Sequence, residues 1–245
     1  MDKIKFLSGN TLKIIAALFM LIDHVGVLLL PQYSILRILG RISMPLFAYT
    51  FAEGCRYTKN KLKHFLLLFG LAFLCQVVYY VYDNGNLYMS ILVAFSLATL
   101  AIYALQYFKK CLFDKERTVW LKILSGGLFV GSIAGIYFFC TVFEVDYGFW
   151  GCMLPVFVSL FDCKDIPVSQ TLARLDNHYI KLFCLGLGLL FLSMNSTWNI
   201  QYYSFLALIP LLFYNGKRGK LRMKYFFYIF YPLHLVILQG LAYIL

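Results

Sequence analysis

Two residues that can exchange protons lie inside an otherwise apolar stretch of the chain. Asp23 and His24 occupy the segment LKIIAALFMLIDHVG, about eleven residues from its start. An imidazole there can act as a general base, and a carboxylate can orient it or pair with a cation. A structural polar pair, satisfied by neighbouring helices, is the simpler alternative. Adjacent residues point about 100° apart on a helix, so Asp23 need not be the carboxylate that orients His24.

Two arginines follow in the next apolar segment. Arg37 stands at its start, and Arg41 lies one helical turn further along the same side. Guanidinium groups at such a depth could bind an anion or stabilise negative charge that develops in a reaction. Arg37 could instead reach the lipid headgroups, and Arg41 could belong to a buried ion pair. An unpaired Arg or Asp at a helix centre costs about 2.5–3.5 kcal/mol. We therefore expect Asp23 and Arg41 to face the bundle interior, one another or water.

Other ionisable side chains occupy comparable depths further along the chain. His234 lies near the middle of the last apolar segment, and Glu144 and Asp146 flank a turn between two earlier ones. A lone histidine on an apolar helix is more often a satisfied core residue, so the case for His234 depends on the other groups. Glu53 could pair with Arg56 or could be functional.

Basic residues indicate how the chain crosses a membrane. Of the 22 Lys and Arg residues, 20 fall in five clusters that alternate with apolar segments, and only Arg37 and Arg41 do not. Lys and Arg concentrate in short cytoplasmic loops, so each cluster predicts the inner side. The clusters are Lys3, Lys5 and Lys13; Arg56, Lys59, Lys61 and Lys63; Lys109, Lys110, Lys115, Arg117 and Lys122; Lys164, Arg174 and Lys181; and Lys217, Arg218, Lys220, Arg222 and Lys224.

Composition supports an integral membrane protein. The chain is 62% hydrophobic and 13% charged, whereas soluble domains carry roughly 25% charged residues. Its net charge of +11 does not favour a nucleic-acid partner, because the basic residues sit at segment ends where they meet anionic lipid. The seven cysteines show no metal-ligand spacing, and no metal site is expected.

The segments predict an all-α, polytopic bundle of about nine transmembrane helices. The N-terminus is then cytoplasmic, and residues 1–245 form a single transmembrane domain. Segments pair through outer turns at Pro31–Ser34, at Asp83-Asn84-Gly85, around Glu144 and Asp146, and at Asn195-Ser196. The segments are Leu12–Pro31, Ile35–Cys55, Leu62–Tyr82, Leu87–Phe108, Val119–Phe143, Tyr147–Phe161, Tyr179–Met194, Ile200–Tyr214 and Tyr225–Ile244.

Prolines predict helix kinks beside two of the candidate groups. Pro45 cannot donate a hydrogen bond to the carbonyl of Arg41, and Pro232 cannot donate to that of Tyr228. Such kinks are common in transmembrane helices and often only shape the packing.

Four stretches together resemble the TraX family, which is named for a protein associated with N-terminal acetylation of conjugative pilin. The resemblance covers the whole chain and is strongest in the first 60 and last 40 residues. The family is similar to a broader group of membrane acyltransferases, which move acyl groups from cytosolic acyl-CoA to acceptors at the outer face. The stretches are LKIIAALFMLIDHVG, RILGRISMPLFAYTFAEGCRYTKN, VDYGFWG and IPLLFYNGKRG with KYFFYIFYPLHLVIL.

The resemblance assigns roles by position. His24 matches the intramembrane histidine regarded as the catalytic base, and Arg37 and Arg41 match arginines thought to handle the thioester. The family's acidic-Tyr-Gly turn and its closing Tyr-Pro-x-His motif also match. These are Asp146-Tyr147-Gly148 and Tyr231-Pro232-Leu233-His234. The larger acyltransferases carry about ten helices, and residues 83–143 show little similarity, so the acceptor pocket is undetermined.

The resulting hypothesis is an acetyl-CoA-dependent acetyltransferase of the bacterial cytoplasmic membrane. Arg56 and Lys59, with Lys61, Lys63, Lys109 or Lys110, would pair with CoA phosphates. His24 would take the acceptor's proton, and Arg41, with Arg37 behind it, would stabilise the oxyanion. Asp23 or Asp146 would fix the His24 tautomer, and His234 would carry a second proton or donate to the thioester. Substrate-side residues are Glu144, Asp146, Tyr147 and Tyr231.

The identity of the acceptor and two alternative functions stay open at this point. The acceptor is a glycan, a lipid-linked sugar, a small molecule or a pilin-like N-terminus. A transporter or flippase for an anionic metabolite or lipid would use the same midplane charges, although no inverted repeat is visible. A non-catalytic scaffold for pilus or envelope assembly would tolerate substitution of His24 and Arg41.

Overall fold

The structure is a computed structural model that describes residues 5–82, 85, 87–197, 199–220 and 224–244. Every regular element among these residues is helical, which confirms the all-α prediction. Lys3, Asp83, Asn84 and Arg222, which the predictions included, lie outside the described residues, as does the side chain of Lys224. The helices are α1 (Gly9–Leu28), α2 (Ser34–Gly40), α3 (Ser43–Tyr57), α4 (Lys61–Tyr82), α5 (Ile91–Phe113), α6 (Val119–Val142), α7 (Gly148–Ser159), α8 (Gln170–Leu175), α9 (His178–Met194), a 3₁₀ helix (Asn199–Ala207), α10 (Leu208–Leu212) and α11 (Lys224–Ile244).

Among the residues that the structure describes, five helical stretches are long and apolar enough to cross a membrane, which indicates a membrane protein. They are Gly9–Leu28, Ser34–Tyr57, Lys61–Val81, Ile91–Phe113 and Val119–Val142. Three further apolar helices are shorter, namely Gly148–Ser159, His178–Met194 and Ile229–Ile244. The count of nine crossings and the cytoplasmic N-terminus stay predictions.

The spanning helices divide into central and peripheral ones. In the most apolar 18-residue stretch of Ser34–Tyr57, 61% of the residues are buried inside the protein. The corresponding stretches of Lys61–Val81 and Val119–Val142 are only 17% and 11% buried. Leu124, Phe138 and many similar side chains therefore lie on the surface. Soluble monomers rarely expose large contiguous apolar patches, so α4 and α6 are suited to face lipid.

The helical conformation is interrupted between α2 and α3, beside a candidate residue. Arg41 and Ile42 form a turn rather than helix, and Pro45 cannot bond to the Arg41 carbonyl. The predicted interruption therefore lies at Arg41. By contrast, Pro155 and Pro232 lie inside the continuous helices α7 and α11.

Backbone hydrogen bonds fix the start of α1 to the basic loop before α11. The amides of Gly9 and Asn10 donate to the carbonyls of Lys217 and Arg218, at 2.8 and 2.9 Å. Gly219 has a positive φ of 95°, and a Cβ there would come within 2.7 Å of the Ser8 hydroxyl oxygen. Glycine is the residue that tolerates both constraints.

Candidate functional site

An ion triad of one buried and two half-buried side chains joins α1 to the α2–α3 interruption. The Asp23 carboxylate lies 2.7 Å from Arg37 Nη1 and 3.1 Å from Arg41 Nη2. A Cβ on Gly40 would overlap the Asp23 carboxyl, so the glycine allows α2 to approach α1 this closely. Two guanidinium groups share one carboxylate, and the triad therefore carries a net positive charge. Its side chains are 9–19% exposed, which limits screening by solvent.

Arg41 makes further contacts that hold it in place. Its Nε donates to the Arg37 carbonyl at 3.3 Å, and its Nη1 donates to Gln201 Oε1 at 3.4 Å. The guanidinium carbon lies 5.5 Å from the centre of the Tyr147 ring. Most of the donors of Arg41 are therefore engaged by the protein itself.

His24 is oriented by its own helix. Its Nδ1 lies 2.8 Å from the carbonyl oxygen of Met20, which can only accept, so Nδ1 carries the proton. In the neutral ring Nε2 is then a proton acceptor. This corrects the expectation that Asp23 or Asp146 sets the tautomer, since Asp23 instead pairs with the arginines.

A second imidazole faces the first one. The ring centres of His24 and His234 are 4.9 Å apart, with the planes at 75°. His234 Nδ1 donates to the Phe230 carbonyl at 2.8 Å. Its Nε2 is buried and has no hydrogen-bond partner among the described residues. Tyr231 packs edge-on against His234 at 5.6 Å. The first and last helices thus bring together two histidines whose Nδ1 atoms are held in the same way.

The turn before α7 holds the remaining acidic and aromatic candidates. Asp146 Oδ1 accepts a hydrogen bond from the Tyr88 hydroxyl at 2.8 Å. Met89 donates its amide to the Glu144 carbonyl, and its own carbonyl accepts from the Asp146 amide, both at 2.8 Å. Burial raises the pKa of Asp146 to about 6, while Tyr88 and Arg41 act in the opposite direction. The side chain of Glu144 is exposed, and only its carbonyl takes part.

The predicted candidates therefore form two groups, and three candidates lie outside both. Asp23, Arg37, Arg41 and Tyr147 make direct contacts, and Asp146 adjoins them through the turn. His24, His234 and Tyr231 form a second contacting group next to the first. The candidates outside these groups are Glu144, Arg56 and Lys59.

The opposite end of the bundle contains an internal ion network. We call it the basic end because it holds Arg56 and Lys181. Arg56 Nη1 lies 2.5 Å from Asp176 Oδ1 and 3.3 Å from Asp162 Oδ1. Lys181 pairs with Glu53 at 2.6 Å, so the partner of Glu53 is Lys181 rather than Arg56. Asp162 and Asp176 therefore neutralise Arg56, which was expected to pair with CoA phosphates.

The other basic candidates near that end differ in exposure. Lys109 is buried and donates to the carbonyls of Ser159 and Asp162, at 2.9 and 3.0 Å. Lys59 is exposed, and its proposed contact with phosphate stays a prediction.

Sequence reasoning missed one residue of the site. Gln201 is 3% exposed and lies in the 3₁₀ helix, where its amide oxygen accepts from Arg41. Its Nε2 has no partner among the described residues. A search confined to ionisable groups overlooks it, although an amide in an apolar segment is itself costly to bury and could have been noticed.

Comparison with known proteins identifies the family. Residues 8–242 match the family described as TraX protein. The chain is 28% identical over 253 residues to the probable fimbrial assembly protein FimC, serogroup H1, of Dichelobacter nodosus, with 94% of each chain covered. It is 34% identical over 94 residues to the uncharacterized protein RP591 of Rickettsia prowazekii (strain Madrid E), covering 38% of this chain and 36% of that one. No solved structure matches. Because the family match covers nearly the whole chain, this protein belongs to the TraX family.

Proposed function

We propose that this protein is a multi-pass enzyme of the bacterial cytoplasmic membrane that transfers acetyl from acetyl-CoA to a hydroxyl or amine at the outer face. The observation that carries the proposal is the geometry of His24. Its Nδ1 is held by the Met20 carbonyl, which leaves Nε2 as a base. The charges of the cationic triad of Asp23, Arg37 and Arg41 act on this imidazole. A base beside a fixed positive charge is what acyl transfer to oxygen or nitrogen requires.

The chemistry balances with these groups alone. The acceptor gives its proton to His24 Nε2 as its oxygen or nitrogen attacks the thioester carbonyl. The new bond forms, the carbon–sulfur bond breaks, and the proton passes from His24 to the departing thiolate. His234, in ring contact with His24, is placed to share that proton.

Gln201 has a hydrogen-bond donor that is not engaged by the described residues, whereas most donors of Arg41 are engaged. The guanidinium holds the amide oxygen of Gln201, so the amide N–H groups point elsewhere and are polarised by the positive charge. In the proposed mechanism, Gln201 Nε2 donates to the developing oxyanion and Arg41 orients and polarises Gln201. The net charge of the triad adds long-range stabilisation.

In this proposal, the acceptor binds between the turn before α7 and the part of α11 that carries Tyr231. Because one relative is a probable fimbrial assembly protein, a pilin-like N-terminal amine is one acceptor to test. A glycan, a lipid-linked sugar and a small molecule are the other acceptors to test, since the broader group of membrane acyltransferases acts on acceptors at the outer face.

Labelled acetyl-CoA supplied to membrane vesicles tests the proposal. Inverted vesicles from cells that produce the protein present the cytoplasmic face to this membrane-impermeant donor. We expect label to enter a protein, lipid or glycan fraction, and the fraction identifies the acceptor class. Vesicles with His24→Asn should show no more label than vesicles without the protein. Equal labelling in all three preparations would contradict the proposed reaction.

One observation favours transport as a second candidate. The α2–α3 helix is interrupted at Arg41, and transporters bind substrates at discontinuous helices of this kind. Liposomes containing the purified protein distinguish the two functions. Transport predicts accumulation of an anionic solute without chemical change, whereas acyl transfer predicts thiol release from acetyl-CoA.

A further inference from the structure

Four buried or half-buried cations of the bundle are paired with carboxylates, whereas Lys13 is not so paired within the described part of the chain. Arg37 and Arg41 share Asp23, Arg56 contacts Asp176, and Lys181 contacts Glu53. Lys13 has no carboxylate within ion-pair distance among the residues that the structure describes.

The surroundings of Lys13 are cationic and aromatic. Its ammonium lies 6.0 Å from the ring centre of Phe227 on α11, and the positive charge of Arg218 acts on it. Arg218 is held there by backbone pairing, because the Asn10 amide donates to its carbonyl at 2.9 Å. Lys217 and Lys220 flank it in the same loop. Like charges at close range repel, and an anion between them would remove that repulsion.

Lys13 also lies on the His24 side of α1. Eleven residues separate the two positions in an uninterrupted helix, which is about three turns at 3.6 residues per turn, so both side chains point to one face. The separation along the axis is roughly 16 Å. Both side chains meet α11, Lys13 at Phe227 and His24 at His234. The seam between α1 and α11 therefore runs from an unmatched cation to the candidate base.

We propose that Lys13 and Arg218 bind the diphosphate of the acyl-CoA donor, and that its pantetheine arm follows the α1–α11 seam to His24. The arm has about thirteen bonds between phosphorus and sulfur. A peptide unit has three bonds and spans about 3.3–3.6 Å, so the extended arm reaches roughly 15 Å. That length matches the separation of Lys13 from His24. This inference rests on the proposed acyl transfer, and it replaces the Arg56 cluster as the expected phosphate site.

Two sources could supply the same diester or diphosphate chemistry, namely CoA and an anionic lipid headgroup. Binding is therefore measured with purified protein in nanodiscs that contain only phosphatidylcholine. The probes are CoA, pantetheine, inorganic pyrophosphate and a short-chain phosphatidylglycerol. The variants are Lys13→Gln, Arg218→Gln and the charge-preserving Lys13→Arg. Lys115→Gln, at an exposed lysine of the α5–α6 loop, is the matched control, and Lys59→Gln tests the site expected from the sequence.

We expect CoA to bind more tightly than pantetheine to the wild type. Lys13→Gln and Arg218→Gln should each weaken CoA binding by about tenfold to a hundredfold, as expected for loss of a hydrogen bond to a charged group. Pantetheine binding should not change, Lys13→Arg should restore most of the CoA affinity, and Lys115→Gln should behave as wild type. Equal weakening of CoA and pantetheine in the Lys13 variant would overturn the site, because it would indicate a structural role.

The remaining outcomes separate this inference from the proposed function. CoA binding that depends on Lys59 and not on Lys13 would refute the site and leave acyl transfer standing. Lys13-dependent binding of pyrophosphate without binding of CoA would retain an anion site and refute the acyl-CoA donor. Lys13-dependent binding of phosphatidylglycerol alone would assign the site to lipid and overturn the proposal.

Discussion

At the scale of single residues, the Asp23–Arg37–Arg41 triad has one carboxylate for two cations. We expect Asp23→Asn to lower the free energy of unfolding by about 3–5 kcal/mol, because it leaves two guanidinium groups without their counter-charge. Thermal unfolding in detergent measures this loss.

A double variant isolates the interaction from the general effect of substitution. Asp23→Asn combined with Arg41→Gln should cost less than the sum of the two single changes, since the second substitution removes one of the stranded charges. Strictly additive losses would show that the carboxylate and Arg41 do not interact.

Asp146 gives a pH dependence with a defined sign. Burial raises its pKa from 3.8 to about 6, so the folded protein holds this proton more tightly than the unfolded chain. Asp146 therefore adds stability below its unfolded pKa, and this contribution is lost as the pH rises through about 6. Asp146→Asn removes the titrating group. From about pH 7 to about pH 5, the melting temperature of wild type should rise relative to that of Asp146→Asn.

Asp165→Asn is the control for that titration, because Asp165 is exposed and also has a positive φ that Asn tolerates. Its melting temperature should follow that of wild type over the same range. Parallel curves for wild type and Asp146→Asn would show that Asp146 does not gain a proton in the folded state.

Insertion energetics anticipated part of the site, since an unpaired Asp23 or Arg41 in lipid is too costly to leave alone. The same argument does not identify backbone partners. His24 is oriented by the backbone carbonyl of Met20. Every residue type has such a carbonyl, so the residue type at position 20 does not predict this hydrogen bond and only the helix geometry reveals it. Gln201 reaches Arg41 across 160 positions of the chain, a separation that local pattern cannot resolve.

At the scale of elements, the contact between α1 and α2 depends on Gly40. Gly40→Ala places a methyl group where the Asp23 carboxyl lies, so we expect α2 to move away, the ion triad to loosen and stability to fall by about 1–3 kcal/mol. Gly54→Ala is a matched control in α3, because a Cβ there meets nothing within 4 Å. The control should be neutral or stabilising by up to about 1 kcal/mol through helix propensity. Equal melting temperatures for both variants would contradict the close α1–α2 approach.

Hydropathy anticipated the long helices well and the short ones poorly. The predicted segment Ile200–Tyr214 is a 3₁₀ helix followed by the short helix α10. A 3₁₀ helix rises about 2.0 Å per residue and an α-helix about 1.5 Å, so the two together extend roughly 25 Å. This approaches the roughly 30 Å hydrocarbon core. Apolarity alone does not report which hydrogen-bond pattern a segment adopts.

At the scale of the whole molecule, charge patterning predicts the orientation in the membrane. If the chain crosses nine times, the basic loops lie in the cytoplasm and the C-terminus lies outside. A reporter that is active only in the cytoplasm should be active when inserted after Lys115 and inactive when fused after Leu245. Activity at both positions would show an even number of crossings between Lys115 and Leu245 instead of the expected five, and the Asn199–Leu212 region would then be the first to reconsider.

Charge patterning does not show which basic residues are available to ligands. Arg56 and its partner Asp176 are 120 positions apart, so the sequence shows a basic cluster where the fold has an ion network. Lys13, which the sequence placed with the N-terminal topogenic charges, has no such carboxylate among the described residues. Availability follows from tertiary pairing, and only the structure provides it.

The most direct test of acyl transfer is acetyl-CoA binding and thiol release by purified wild type and His24→Asn. The asparagine amide can still donate to the Met20 carbonyl but cannot accept the proton. We expect both proteins to bind acetyl-CoA with similar affinity, and thiol release with an active acceptor to fall by about 10²–10⁴-fold in the variant. His64→Asn, which alters a histidine paired with Tyr103 on α5, should release thiol as wild type does. Undiminished release by His24→Asn, or no saturable binding of acetyl-CoA by folded wild type, would contradict the account.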